Sequence, residues 1–422
     1  GGRGGARDGT GTLGYTASAP FGALPDGYSP VFNWDGGIPP FQHAPFFDPG
    51  LNTGFTTATP RGGGVTYGDP DIGGRPPRYQ NWSFGFQRAV TNATTVSASY
   101  AGSNGHFLRG GGRGLWSGQI QPKYLALGSL LTQQATPANI ALAQARFPGI
   151  QLPFPSFNGA VGQMLRPFPQ YSGVSDIWGD VADSHYNSFQ LVLTQRHWKG
   201  LTLNLNYTLS KSLDDTAGTR SGYNWGTEKA VTTEDATHVV NFTFVYALPF
   251  AASGPHSLYR NIVHGWQISA ITQFNTGRPL GTILANCNLP NAGSCYADYD
   301  PNFSGPAQIA GYGSDNLLGS NPTVYLNKSA FQDPAPYTYG NTPRTLAYAL
   351  RGPASFNQDI SVRREFKIHE NLSFQLQADA INWLNHVVFG SPGVDTTSSS
   401  FGKITSQANG PRVVQFAARV TF

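Results

Sequence analysis

Apolar and polar residues alternate singly through many short segments of this chain, and that period of two predicts extended strands whose two faces meet different surroundings. The clearest segment is 201–211, where Leu201, Leu203, Leu205, Tyr207 and Leu209 alternate with Thr202, Asn204, Asn206, Thr208 and Ser210. Residues 412–422 repeat the pattern, with Val414, Phe416, Ala418, Val420 and Phe422 on one face and Gln415, Ala417, Arg419 and Thr421 on the other. No helical period is present to supply a second layer that would cover five apolar residues in a row. One face suits hydrocarbon and the other water, which is the demand of a closed transmembrane sheet.

Similar alternation predicts strands at 80–90, 94–102, 186–197, 238–248, 265–276, 356–368 and 372–383, making nine crossings. The apolar sets are Trp82, Phe84 and Phe86; Val96, Ala98 and Tyr100; Phe189, Leu191 and Leu193; Val240, Phe242, Phe244, Tyr246 and Leu248; Trp266, Ile268, Ala270 and Phe274; Ile360, Val362 and Phe366; Leu372, Phe374, Leu376 and Ala378. Connections alternate between brief turns (around Asn92, Lys199 and Glu370, and the modest stretch 249–263) and long segments. That is the polarity of outer-membrane barrels, whose periplasmic turns are tight and whose extracellular loops are extended. Residues 401–407 are expected to belong to the outer rim and not to cross. The fold class expected is therefore all-β: an antiparallel transmembrane β-barrel with long extracellular loops, residues 1–79 forming a loop-rich extracellular segment and 80–422 the barrel. The opposite faces of the strands carry Gln190, Thr194, Arg196, Asn204, Asn206, Asn241, Gln267, Gln273, Asp359, Arg363, Glu365, Gln375, Gln377, Asp379 and Arg419, which would face an aqueous lumen and hold a plug or line a path.

Composition supports an all-β, loop-rich chain. Charged residues are 12% of 422, aromatics 13%, and there are 52 Gly and 31 Pro. A formal charge of +4 is small for this length and points away from nucleic acid as a partner. Mean hydropathy is −0.28, and no run approaches the roughly 18 apolar residues of a membrane helix. The sequence opens on GGRGGARDGT and its single methionine is Met164. With an odd strand count whose first strand starts outside, these features lead us to expect a fragment of a longer chain with strands upstream.

The segments VSASYAGSNGHFL (96–108), DSHYNSFQLVLTQRHWKGLTLNLNYTLSKSLDD (183–215), GWQISAITQFNTGRPL (265–280) and RGPASFNQDISVRREFKIHENLSFQLQADAINWLNH (351–386), followed by FGKITSQANGPRVVQFAARVTF, resemble the barrel of Oar-like TonB-dependent receptors. The resemblance covers roughly residues 30 to 422, in order. It implies a bacterial outer-membrane location in a Gram-negative cell, and ligand binding and uptake by the full-length protein. It also implies upstream a signal peptide, a carboxypeptidase-regulatory-like β-sandwich and a plug that engages the TonB complex. Phe422, with Val420 and Phe416, matches the C-terminal signal read by barrel-assembly machinery. The lipid of the outer membrane is the remaining partner so implied.

Chemistry of other kinds is sparse. Hydrolase, zincin and phosphate-loop motifs are absent from the sequence. Asp183, Ser184 and His185 are adjacent on a strand and point to alternate faces, so they cannot converge as a triad; no enzyme activity, cofactor or metal is expected. Asp214 and Asp215, and likewise Asp298 and Asp300, read as solvated rim charges. Cys287 and Cys295, eight apart in a Pro/Gly/Asn-rich loop, fit a local disulfide, since a metal pair would lack further ligands nearby. The glycine-arginine clusters at Gly1 and at 109–114 are too few for an RNA-binding tract. Loop aromatics, Trp34, Tyr223, Trp225, Tyr296 and Tyr299 among them, have two readings: contacts to a ligand (a glycan, peptide or chelate), or packing of loops onto one another. Two alternatives to uptake stay open at this point, a surface adhesion or structural barrel and a secreted β-sandwich glycan-binding protein.

Overall fold

The computed structural model describes residues 35, 65–67, 75–110, 119–155, 157–169, 174–176, 180–217, 220–249, 264–290, 295–309, 324–369 and 372–422. Nine long strands form one antiparallel meander: β1 (Arg78–Ala89), β2 (Thr94–Arg109), β3 (Asp180–Trp198), β4 (Leu201–Asp214), β5 (His238–Ala247), β6 (Trp266–Asn275), β7 (Ser355–His369), β8 (Leu372–Ile381) and β9 (Val413–Thr421). Each pairs with its sequence neighbours, and a two-residue strand, Ala230–Val231, adds to the outer end of β4. Among the described residues no helix is long and apolar enough to cross a membrane.

Register sorts the faces. One row of partners runs Phe86, Ala98, Leu191, Tyr207, Val240, Phe274 and Phe356 across β1 to β7. The row beside it runs Gln87, Ser97, Val192, Asn206, Asn241, Gln273 and Asn357. Because side chains alternate, the first row and its even-spaced relatives face one way and the second the other. Phe84 is 78% exposed and Phe416 80%, values that a sandwich core would not leave. The sheet is a single layer whose apolar face belongs against lipid, which removes the β-sandwich alternative.

Several residues break the alternation. Arg364 sits on the apolar face between Val362 and Phe366, yet it is buried. Its guanidinium lies 4.1 Å from the Phe366 ring centroid and 5.7 Å from that of Trp266, its partner across β6. Proximity to two ring faces favours a cation on that face. On the same face Gln358 donates to Thr272 at 3.0 Å, so two polar groups satisfy one another. Ile271 is the converse, an apolar residue on the polar face.

The inner turns are tight for a physical reason. At the β3–β4 turn Lys199 and Gly200 have φ of 48° and 85°, the left-handed pair of a type I′ turn that matches strand twist. A Cβ on Gly200 would come within 2.6 Å of the Ala247 carbonyl, so the strand next door also requires glycine there. Of the other turn residues named from sequence, Glu370 lies outside the described residues. The four longest connections, 110–179, 215–237, 276–354 and 382–412, emerge at the opposite end, and the inner end carries one of intermediate length, 248–265. β1 and β9 run in the same direction, so closure by antiparallel pairs alone takes an odd number of strands between those edges.

Two expected strand limits need correction. β2 continues to Arg109 where 102 was expected, and β3 begins at Asp180 where 186 was expected, so this hairpin projects beyond the apolar band. In the projection Asn104 meets His185 at 2.8 Å and His106 meets Asp183 at 2.8 Å. Polar side chains there occupy the face that is apolar lower down, which ends the alternation without ending the strand. Ser184 lies on the other face, opposite Gly105. Residues 401–407 form bridges at the outer rim and no crossing strand. Most of the segment 1–79 lies outside the described residues.

The face assignment has a direct test in the assembled protein. Leu203→Arg and Leu205→Arg are expected to lose about 2–4 kcal/mol each near the midplane, whereas Asn204→Arg is expected to fold normally. Heat-modifiability on gels after outer-membrane fractionation reads the difference, and equal loss in all three variants contradicts the assignment.

Candidate functional site: the outer loop layer

The packed core of this molecule lies above the wall, in four outer segments: 110–179, 215–237, 276–354 and 382–412. The first builds its own apolar cluster around Ile120, Leu131, Ile140, Ala143, Ile150, Val161 and Met164. Here helix α1 (Pro137–Arg146) starts at Thr136, whose side chain accepts from Asn139 N, with Pro at the first turn; both are favourable start signals. It buries Ile140 and Ala143. The third and fourth segments share a second cluster, with Ile283, Ala297, Tyr325, Leu326, Phe331 and Leu350 from one and Phe401 and Ile404 from the other. Tyr325 N donates to Gly402 O at 2.5 Å, where Gly402 has φ 70° and no room for a Cβ against Leu326.

Polar contacts join the remaining seams. Gln119 of the first segment accepts from Gly222 N at 2.5 Å, and its carbonyl accepts from the Tyr223 hydroxyl at 3.2 Å. Between the second and third segments lies a buried charge cluster. The Glu228 side chain is fully buried, 3.4 Å from Arg220 Nε, and it accepts from Arg220 N at 3.2 Å and from the Tyr296 hydroxyl at 2.9 Å. Arg220 also donates to Gly340 O at 2.7 Å and Thr342 O at 3.0 Å, and stacks 4.4 Å from the Tyr296 ring centroid. Arg344 donates to Glu228 O at 3.0 Å and Asp214 O at 2.8 Å, and pairs with the Asp214 carboxylate at the outer end of β4. Arg351 pairs with Asp235 at 2.7 Å, and Asp235 accepts from Ser212 N at 2.8 Å. Every formal charge in this cluster has an opposite charge and further hydrogen bonds, the condition under which burial is tolerated. Burial, and then the Glu228 carboxylate beside it, push the Tyr296 hydroxyl up to about 12.

The geometry is a single-layer wall with an apolar outer face and a packed loop layer at one end. A family model described as an outer membrane beta barrel domain matches residues 3–415. The chain belongs to this outer-membrane β-barrel family. The barrel resides in the bacterial outer membrane. Among solved structures it is similar to the ferripyoverdine receptor FpvA of Pseudomonas aeruginosa bound to heterologous pyoverdines, at 11% identity and a TM-score of 0.35 over 82% of this chain and 28% of that one. It is similar also to the FpvAI–pyocin S2 complex, at 9% and 0.36 over 82% and 28%, and to the outer membrane transporter YddB of Escherichia coli, at 11% and 0.36 over 85% and 34%. The chain thus spans about a third or less of the length of those proteins. No curated protein matches it in sequence.

The expected contact residues of the barrel divide. Tyr296, expected at the ligand surface, is 2% exposed and belongs to the loop core; its hydroxyl is given to Glu228. Tyr223 is half-buried at the seam with Gln119, and burial, then Tyr339, raises its hydroxyl above the ordinary range. Trp225 is half-buried in the short helical turn Trp225–Glu228. Tyr299 is half-buried in an aromatic group with Phe331 and Tyr348. Trp34 lies outside the described residues. Cys287 and Cys295 are joined as a disulfide with Cα atoms 5.7 Å apart. Asp214 is no solvated rim charge, being held by Arg344, and Asp215 accepts from Asp183 N at 2.7 Å. Phe422, Val420 and Phe416 stand on the exposed apolar face at the inner end of β9 and along it. Among the described residues no group of three His, Cys, Asp or Glu is placed to hold a metal ion. Sequence reading missed Arg220, Glu228, Asp235, Arg344 and Arg351; residues 215–237 carried a signal, being richer in charge than the chain as a whole, whereas Arg344 and Arg351 stand in a segment with no such excess.

Removing one partner of the buried cluster leaves an uncompensated charge, so Glu228→Ala is expected to destabilise the loop layer by about 3–5 kcal/mol. Hydrogen exchange and limited proteolysis should locate the loss in residues 215–237 and 276–354, with the wall still heat-modifiable. A pH titration adds an independent check. Because folding raises the Tyr296 pKa above 10, its contribution is complete below pH 10 and is lost as pH rises toward about 12. Tyr296→Phe should flatten that alkaline decline in loop protection; an unchanged decline contradicts the assignment.

Proposed function

We propose that this chain supplies the C-terminal wall and the ligand-receiving loop layer of a TonB-dependent receptor that binds a scarce solute outside the cell and imports it. The observation that carries the reading is the construction of the outer segments: two apolar cores and a buried charge cluster hold segments of different length together, so that their described residues present a fixed surface. Adaptable recognition on a rigid scaffold is the usual arrangement for loops that bind. Beneath it the polar wall, with Asn204, Asn206, Asn241, Gln273, Asp359, Arg363, Gln377 and Asp379 facing the lumen, suits either a plug or a hydrated path. The barrel of this reading partners outer-membrane lipid on its apolar face and the assembly machinery through the strand ending at Phe422. The TonB complex would be reached through a plug.

A deletion strain distinguishes uptake from adhesion. Compounds depleted from the culture medium by the parent strain should include at least one that persists in the medium of the deletion strain, and persists equally when the proton gradient is dissipated. Unaltered depletion together with lost surface attachment would favour the structural barrel instead.

A further inference from the structure

We propose that Tyr348, backed by Tyr299 and Phe303, is a stacking subsite for a neutral sugar ring on the outer loop layer. The proposal rests on the receptor reading above and names its ligand class. Three of the four residues 346–349 carry positive φ without being glycine: Leu346 at 61°, Tyr348 at 51° and Ala349 at 57°. Left-handed backbone disfavours any residue with a Cβ, and most of all a bulky one. A turn needed only to connect would be satisfied by Gly or Asn. The turn is held in this shape from below, by Leu346 N to Leu280 O at 3.1 Å and Leu280 N to Leu350 O at 3.1 Å. Tyr348 nevertheless remains 40% exposed. Left-handed backbone at an aromatic left exposed points to a surface contact.

The ring itself is fixed. Tyr299 meets it edge-on at 4.5 Å between centroids, Phe331 at 5.6 Å and Phe303 at 6.0 Å. Its hydroxyl donates to Ala330 O at 3.2 Å, and its amide donates to the Tyr299 hydroxyl at 3.4 Å. A ring immobilised in advance loses little entropy when a partner arrives. Around it the surface is polar: Asp300 N shares the Ala330 carbonyl at 3.1 Å, Asn302 is exposed, and Ser304 is exposed. Asp300 lies near enough that its charge, after burial and Tyr299, raises the Tyr348 hydroxyl. A flat apolar face with amide, carboxylate and hydroxyl groups at its edge matches a pyranose, whose C–H face is apolar and whose rim is hydroxyl.

The test uses the full-length receptor purified from outer membranes, with saturation-transfer NMR against a panel of neutral hexasaccharides built from glucose (α- and β-linked), xylose, mannose and N-acetylglucosamine. At least one is expected to receive saturation through its ring protons. Tyr348→Ala should weaken that binding about tenfold, as removal of a central aromatic does, and Tyr348→Phe should keep it, because the hydroxyl only anchors the ring. Gly substituted at 346 and 349 relieves strain without removing the ring and should leave the loop layer folded, with binding reduced. Absence of transfer from every sugar overturns the proposal, as does unaltered binding by the Ala variant. Displacement of the sugar by tetramethylammonium at equal concentration would assign the rings to a cation and overturn it also. Loss of energised uptake in the deletion strain together with no sugar binding would sink this subsite alone; sugar binding without energised uptake would sink the receptor reading alone.

Discussion

Hydrocarbon contains nothing to which a backbone amide can bond, and that constraint orders the whole chain. Inside the membrane the only answer available to an extended chain is a neighbour on each side, so nine strands follow one another as a meander and no helix or irregular segment interrupts them. Irregular backbone is then confined to the two ends. At the inner end the connections shrink, to Lys199 and Gly200 between β3 and β4 and to residues 90–93 between β1 and β2, with 248–265 the longest there. At the outer end water is available again, and chain length, proline and glycine accumulate there. A wall one sheet thick cannot hide side chains between layers, so the residues shielded most completely in this molecule are loop residues.

The buried charges of the loop layer follow from the same division. Long Gly/Pro-rich segments hold too few large apolar residues to fix their positions by packing alone. Directional contacts do it instead: Glu228 takes Arg220 and Tyr296, and Arg220 then fixes the backbone at Gly340 and Thr342. Such a cluster contributes little net stability against an apolar replacement of equal shape, because desolvation offsets most of the attraction. Its effect is to make one arrangement of the segments satisfied and every displaced arrangement unsatisfied. Gly340 shows the tolerance allowed, since a Cβ there would overlap the Tyr296 carbonyl.

The wall is legible in the sequence because its determinants are local. Alternation from Leu201 to Ser210 is enough to assign a strand and its two faces, and neighbours in the sheet are neighbours in the chain. Legibility fails where the lipid ends: Asn104, His106, Asp183 and His185 continue their strands with polar groups on the former apolar face, so period alone stops too early. It fails more fully in the loops, where Asp214 meets Arg344 across 130 residues. Tyr296 reads as a surface residue from sequence because a loop aromatic looks the same whether it packs or binds. Only the position of Glu228, 68 residues away, decides between them. Tyr299 divides the two readings, stacked near Phe331 on one side and set edge-to-face with the exposed Tyr348 on the other.

Wall and loop layer are not independent bodies. Asp214 ends β4 and holds Arg344; Ser212, two residues earlier on the same strand, donates its amide to Asp235, which holds Arg351 and thereby the residues just before β7. The short strand Ala230–Val231 adds backbone pairing to β4 at the same height, and Thr345 donates to Val231 O at 2.6 Å. Lifting the third segment away from the wall must therefore break both ion pairs, Arg344 with Asp214 and Arg351 with Asp235, and expose Glu228 in one event. Small displacements gain nothing, because a half-opened cluster leaves charges without partners. The loop layer is consequently expected to stay seated as a unit or to open as a unit. A ligand that bound the closed layer and the open layer equally would move nothing, so any ligand that opens the layer must do so through contacts available only after these pairs have separated.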